Sequence, residues 1–137
     1  MSTTARQLSR RELLAAASAI AALGFERGLG AQAKGPVKIG IIGSGRQGGA
    51  LGLQWAKAGH EIFFSSRHPE QLADLVKQAG PKAKAGLPED AAKFGDVILI
   101  AVPYGVLPQV GKDYAPLMKG KIVIDVGNPR VDRDGEV

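Results

Sequence analysis

Apolar runs alternate with amphipathic segments along most of the chain. Residues 37–42, VKIGII, form a nearly continuous apolar stretch between Pro36 and Gly43, the pattern of a strand covered on both faces. Residues 47–58 place Leu51, Trp55 and Ala58 at helical spacing, and Gly59 stops them. A short strand follows at 61–65, EIFFS. Residues 69–79 read as a second helix, opened by Pro69, carrying Leu72, Leu75 and Val76 on one face and closed by Gly80 and Pro81. Residues 82–85 read as a short edge strand, and 88–94 as one or two helical turns ended by Gly95. VILIA at 97–101 is a further buried strand. Residues 106–117 read as a weak helix, interrupted by Pro108 and ended near Pro116, and IVIDV at 122–126 reads as a last buried strand. Strands alternating with helical segments predict an α/β fold, a doubly wound parallel sheet with helices on both faces.

The first 33 residues break this rhythm. Arg10 and Arg11 precede a short apolar stretch at 13–23, and Ala31-Gln32-Ala33 offers the small-x-small pattern of a signal-peptidase site. The apolar stretch is shorter than the roughly 20 residues a bilayer span requires. SRRELL resembles a bacterial twin-arginine signal, with Ala15 where a lysine is common. The expectation is therefore a signal peptide at 1–33, a folded domain at 34–137, and a periplasmic or exported protein. The alternative is an ordinary amphipathic helix and a cytoplasmic protein.

Composition narrows the function classes. The chain has 137 residues, 45% of them hydrophobic and 5% aromatic, which suits one soluble α/β domain. It has no cysteine, which excludes disulfides, thiolate metal sites and a cysteine nucleophile. The net charge is +5, but the basic residues are dispersed, so no focused patch for nucleic acid is expected.

Gly43, Gly45 and Gly48 match the G-x-G-x-x-G dinucleotide fingerprint, and they lie between a buried strand and an amphipathic helix, as that motif requires. Gly43 permits the tight turn, Gly45 lets backbone approach a pyrophosphate, and Gly48 lets helix and strand pack closely. With Ser44, Arg46 and Gln47 they form the expected pyrophosphate seat. The helix start supplies free N–H groups and a partial positive charge worth about 0.3–1 kcal/mol near one anion. The alternative is a glycine-rich turn with no ligand.

The end of the second strand selects the cofactor. An NAD site usually carries a carboxylate there to bond the ribose 2′-hydroxyl. Here Ser65, Ser66 and Arg67 stand in its place, two hydroxyls and a guanidinium that suit a 2′-phosphate and favour NADP. Arg46 either reaches toward the adenosine end and the same phosphate or is a solvated loop arginine.

Ala101, Val102 and Pro103 end the third main strand, where small and apolar residues suit a ribose and nicotinamide crossing the sheet. Asn128 and Pro129 are expected to flank the nicotinamide, and Asp125 to bond nearby backbone. His60 reads as structural, His68 as bordering the 2′-phosphate, and Tyr104 as packing near the site. No metal site and no acid–base constellation emerge, so no catalytic residue is assigned. Hydride transfer between two cofactors can rest on proximity and orientation.

The segments IGIIGSGRQGG, AGHEIFFSSR, DVILIAVPYG and GKIVIDVGNP, within residues 37–129, resemble the coenzyme F420-dependent NADP oxidoreductase family. The resemblance implies a Rossmann-type domain that moves hydride between NADPH and a deazaflavin, coenzyme F420. It implies that Ser66 and Arg67 hold the 2′-phosphate, and that Ala101, Val102, Pro103, Asn128 and Pro129 line the nicotinamide. It further implies a homodimer, and a longer C-terminal part in which the deazaflavin pocket lies, so the domain is expected to be short at that end. Two other functions stand beside it: a non-catalytic NADP-binding or redox-sensing module, and part of an imine or carbonyl reductase.

Overall fold

The computed structural model describes residues 35–134; the expected signal peptide at 1–33 lies outside the described residues. Five strands form one parallel sheet: β1 (Lys38–Ile42), β2 (Glu61–Ser65), β3 (Ala83–Gly86), β4 (Val97–Ile100) and β5 (Ile122–Asp125). Their order is β3-β2-β1-β4-β5. The chain leaves β1 in one direction for β2 and β3, then crosses back to lay β4 on the other side of β1. This is the Rossmann-type doubly wound arrangement, with its switch point between β1 and β4.

Successive side chains on β1 feed opposite faces of the sheet. Ile39 and Ile41 join Ile62, Phe64 and Leu99 in one core, packed by Leu51 and Trp55 of helix α1 (Arg46–Lys57) and by Leu75 of α2 (Ala73–Ala79). Ile42 joins Ile98 and Ile100 in the other core, packed by Ala92 of α3 (Pro88–Phe94) and Val110 of α4 (Leu107–Met118). The apolar run of β1 is continuous because both its faces are covered. Gly40 belongs to the same design: a Cβ there would collide with the Ala91 carbonyl, so α3 rests on bare backbone.

Three expectations need correction. The helix expected at 69–79 opens as a 3-10 turn, Pro69–Leu72, before α2 begins. Pro108 does not interrupt α4. It sits in the first turn, where its missing N–H has no intrahelical partner to lose, and the helix also runs two residues past Pro116.

The third correction concerns β5, which is not a buried strand. All four of its residues are exposed, and Ile122 retains 64% of its surface. Among the described residues it pairs with β4 alone. Lys121, just before it, anchors its start by donating to the Ala92 carbonyl at the end of α3, at 2.7 Å. A short helix, α5 (Val131–Asp134), follows. Among the described residues no helix is long and apolar enough to cross a membrane.

Candidate cofactor crevice

The carboxyl ends of β1, β2 and β4 open on one side of the sheet, and the glycine fingerprint turns there. Gly43 takes a φ of +95°, a left-handed conformation that a side chain would strain. A Cβ on Gly48 would collide with the Gly43 carbonyl, so this glycine is what lets α1 close on the turn. Gly45 differs from both. Its φ is −73°, and a Cβ there would meet no atom of the described residues within 4 Å. The fold therefore explains two of the three glycines and leaves the middle one to whatever occupies the space in front of it.

Gly45 is also the N-cap of α1, and no side chain caps the helix. The Gly49 amide makes the first intrahelical bond, to the Gly45 carbonyl at 2.7 Å. The amides of Gly45, Arg46, Gln47 and Gly48 are then the four that a helix start leaves without intrahelical partners. The Ser44 amide is not among the available donors, because it is bonded to Ser65.

Two cavities meet at Ala101, Val102 and Pro103. The larger, about 470 Å³, extends from Gly43, Ser44 and Gly45 past Ser66 and Arg67 to the face of α4. The smaller, about 340 Å³, extends the other way past Arg46, Gln47 and Asn128. Both volumes lie within the range of small-molecule clefts. Together they make a crevice across the switch point, with the uncapped helix start near its middle.

The structure brings most of the sequence-predicted residues to this crevice but divides their roles. Ser65 lines the wall, yet it is fully buried and its hydroxyl donates to the Ile41 carbonyl at 2.5 Å. Of the two expected hydroxyl ligands, Ser65 is thus committed to the fold. Ser66 accepts from the His68 amide at 3.0 Å, which leaves its own proton free to donate into the crevice. Arg67 is exposed beside it.

Arg46 lines the smaller cavity with Asn128, not the larger one with Arg67, so of its two expected roles the structure does not bring it beside Arg67. It is already the first residue of α1, and its side chain leaves the turn on the β4–β5 side. Asn128 lines the same cavity, whereas Pro129 lines neither.

The remaining residues keep to the backbone. Asp125 accepts from the Gly127 amide at 2.7 Å, as expected. His60 Nδ1 accepts from the Val37 amide at 3.2 Å and ties the β2 approach to the start of β1, a structural role. His68 lies 3.3 Å from Glu70, both well exposed, and lines neither cavity. Tyr104 opens a 3-10 turn, Tyr104–Val106, and also lines neither.

Sequence reasoning missed one wall. Val106, Gln109, Val110 and Asp113 of α4 and its approach face the larger cavity. Their i, i+3, i+4, i+7 spacing was the available signal. Arg130 and Arg133, beyond Asn128, also line the smaller cavity and were not singled out.

The likeness to known proteins follows the same boundaries. The family model described as "NADP oxidoreductase coenzyme F420-dependent" matches residues 38–129. An F420-dependent NADP reductase of Methanocaldococcus jannaschii is 36% identical over 110 residues, covering 73% of this chain and 49% of that protein. A crystal structure from an Arthrobacter species aligns with a TM-score of 0.58 at 24% identity, over 68% of this chain and 46% of that one. A pyrroline carboxylate reductase of Plasmodium falciparum, solved with NADP bound, aligns with a TM-score of 0.51 at 21% identity, over 66% and 33%. At these identities the two structures show likeness of fold alone. The chain spans half or less of the length of each of these relatives. By a match that takes in the sheet, the fingerprint and both cavity-lining strand ends, the chain belongs to the coenzyme F420-dependent NADP oxidoreductase family.

Proposed function

We propose that this chain binds NADP(H) across the switch point and serves hydride transfer between the nicotinamide and a deazaflavin or similar acceptor. The observation that carries the reading is Gly45, a glycine that neither backbone conformation nor packing requires, at an uncapped helix start facing a crevice. A pyrophosphate supplies the missing reason, because it needs close approach of backbone and four unsatisfied amides. The residues present fit such a group. The amides at the start of α1 would hold the pyrophosphate, and Ser66 and Arg67 the 2′-phosphate. Ala101, Val102, Pro103 and Asn128 would line the nicotinamide.

When bound, the nicotinamide supplies or accepts the hydride. The chain's own contribution is to hold and orient it at the mouth of β4, where Val102 and Pro103 line the crevice. The acceptor is inferred from the family and from the name of the archaeal relative. The test is NADPH oxidation by the purified protein with coenzyme F420 as acceptor. Turnover supports the full reading. Tight NADPH binding without turnover would reduce it to a cofactor-holding module.

The order of paired arginines, apolar stretch and Ala-x-Ala supports export by the twin-arginine route. That route carries folded proteins, so the cofactor would be acquired before export. Mature protein recovered from the periplasm without nucleotide would count against this.

A further inference from the structure

The wall formed by α4 carries chemistry that pyrophosphate and 2′-phosphate binding leave unused. Val106 and Val110 present apolar surface to the larger cavity, and Pro88 lines it as well. Beside the valines, Gln109 and Asp113 stand one helical turn apart, and Gln109 Nε2 donates to Asp113 Oδ1 at 2.7 Å. That bond fixes the pair and leaves each with capacity. The carboxylate keeps its second oxygen as an acceptor, and the amide keeps one N–H as a donor. A donor and an acceptor are thus held side by side at the edge of an apolar slot.

We infer that this pair reads the base of the dinucleotide, with Asp113 accepting from the exocyclic amino group of adenine and Gln109 donating to the adjacent ring nitrogen. The inference rests on the NADP reading above and names the recognition at its adenosine end. With the 2′-phosphate at Ser66 and Arg67, the attached adenosine lies in the cavity those residues share with α4. Adenine offers an amino donor next to a ring acceptor, and its faces are apolar enough to lie against the valines. Hypoxanthine has the same size and the same faces but carries a carbonyl oxygen where adenine has the amino group. The ring nitrogen that Gln109 meets is N7, and on that edge hypoxanthine presents only acceptors, so its oxygen faces the Asp113 carboxylate with no proton between them, its N1–H lying on the other edge.

The test is titration of the full chain with NADPH and with its hypoxanthine analogue. The wild-type chain should bind NADPH about ten- to hundredfold more tightly, the range of one hydrogen bond to a charged group. Asp113→Ala should bring the two affinities together. Asp113→Asn, which keeps an acceptor oxygen, should retain part of the preference. Asp113 is exposed, so an unchanged melting temperature would accompany these variants. Tight but equal binding of both nucleotides by the wild-type chain would overturn the adenine assignment and leave the dinucleotide reading standing, and so would a preference undiminished in Asp113→Ala. Failure of the wild-type chain to bind either nucleotide would overturn the dinucleotide reading and this inference together.

Discussion

Ser44 and Ser65 hold each other through two hydrogen bonds. The Ser44 amide donates to the Ser65 carbonyl at 2.9 Å, and the Ser65 amide donates to Ser44 Oγ, also at 2.9 Å. The first links the glycine turn to the end of β2, and the second uses the only side chain in the turn short enough to fold back on it. The glycine turn proposed to seat the pyrophosphate and the β2 end proposed to hold the 2′-phosphate are therefore tied together directly, although the two serines stand 21 positions apart in sequence. Ser44→Ala removes the acceptor of a part-buried amide, and the expected loss is about 1–3 kcal/mol of stability. Thermal unfolding would register it as a melting temperature lowered by several degrees. A melting temperature equal to wild type would show that the serine pair does not hold the corner.

The three fingerprint glycines should separate when substituted. Gly45→Ala adds a methyl where no atom of the described residues stands, so stability should change by less than about 1 kcal/mol, while NADPH affinity falls. Gly48→Ala drives a methyl into the Gly43 carbonyl and should destabilise the fold by about 1–3 kcal/mol before any cofactor is added. Denaturant melts with and without NADPH distinguish the two effects. Full NADPH affinity in Gly45→Ala would remove the argument that a ligand explains this glycine.

Arg67→Ala should weaken NADPH binding by about ten- to hundredfold and leave NADH binding unchanged, because only the former carries the 2′-phosphate. The loss should shrink as salt rises, since Arg67 is exposed. Parallel titrations at two salt concentrations measure both effects. An equal loss for the two nucleotides would place Arg67 elsewhere on the cofactor.

Ser65→Ala makes the opposite contrast. Its hydroxyl is buried against the Ile41 carbonyl, so the substitution should cost about 1 kcal/mol of stability while the NADPH-to-NADH ratio stays as it was. A fallen ratio would return the hydroxyl to the ligand.

For the N-terminal segment, replacing both Arg10 and Arg11 by lysine should trap the protein in the cytoplasm. Cell fractionation reads the outcome, and a double variant that distributes as wild type would end the twin-arginine proposal.

The fold was legible where the physics is local. The continuous apolar run of β1, the glycines that follow the helical segments at 47–58, 69–79 and 88–94, and the fingerprint between strand and helix all depend on neighbours in sequence, and these elements form within a residue or two of expectation. The misreadings share a cause: each turned on something distant. IVIDV has the composition of a buried strand, but its burial is decided by which helices lie over it, and none of the described ones covers β5. Ser65 has the chemistry of a phosphate ligand, but the Ile41 carbonyl on the neighbouring strand claims its proton. The α4 wall went unseen because Pro108 suggested a broken helix, and a broken helix presents no stripe. Sequence alone leaves Arg46 open between two roles, and the structure sets its side chain along the smaller cavity, since the direction of a first-turn side chain follows from the helix axis.

Among the described residues nothing pairs with the outer flank of β5, and this bears on how the protein behaves at the bench. Its outer row of main-chain donors and acceptors, backed by Ile122, Val123 and Ile124, is a template on which another extended segment can zip. Crowding the sample should favour such annealing, so dilution becomes a hidden variable in every titration of this chain, and light scattering belongs beside each one.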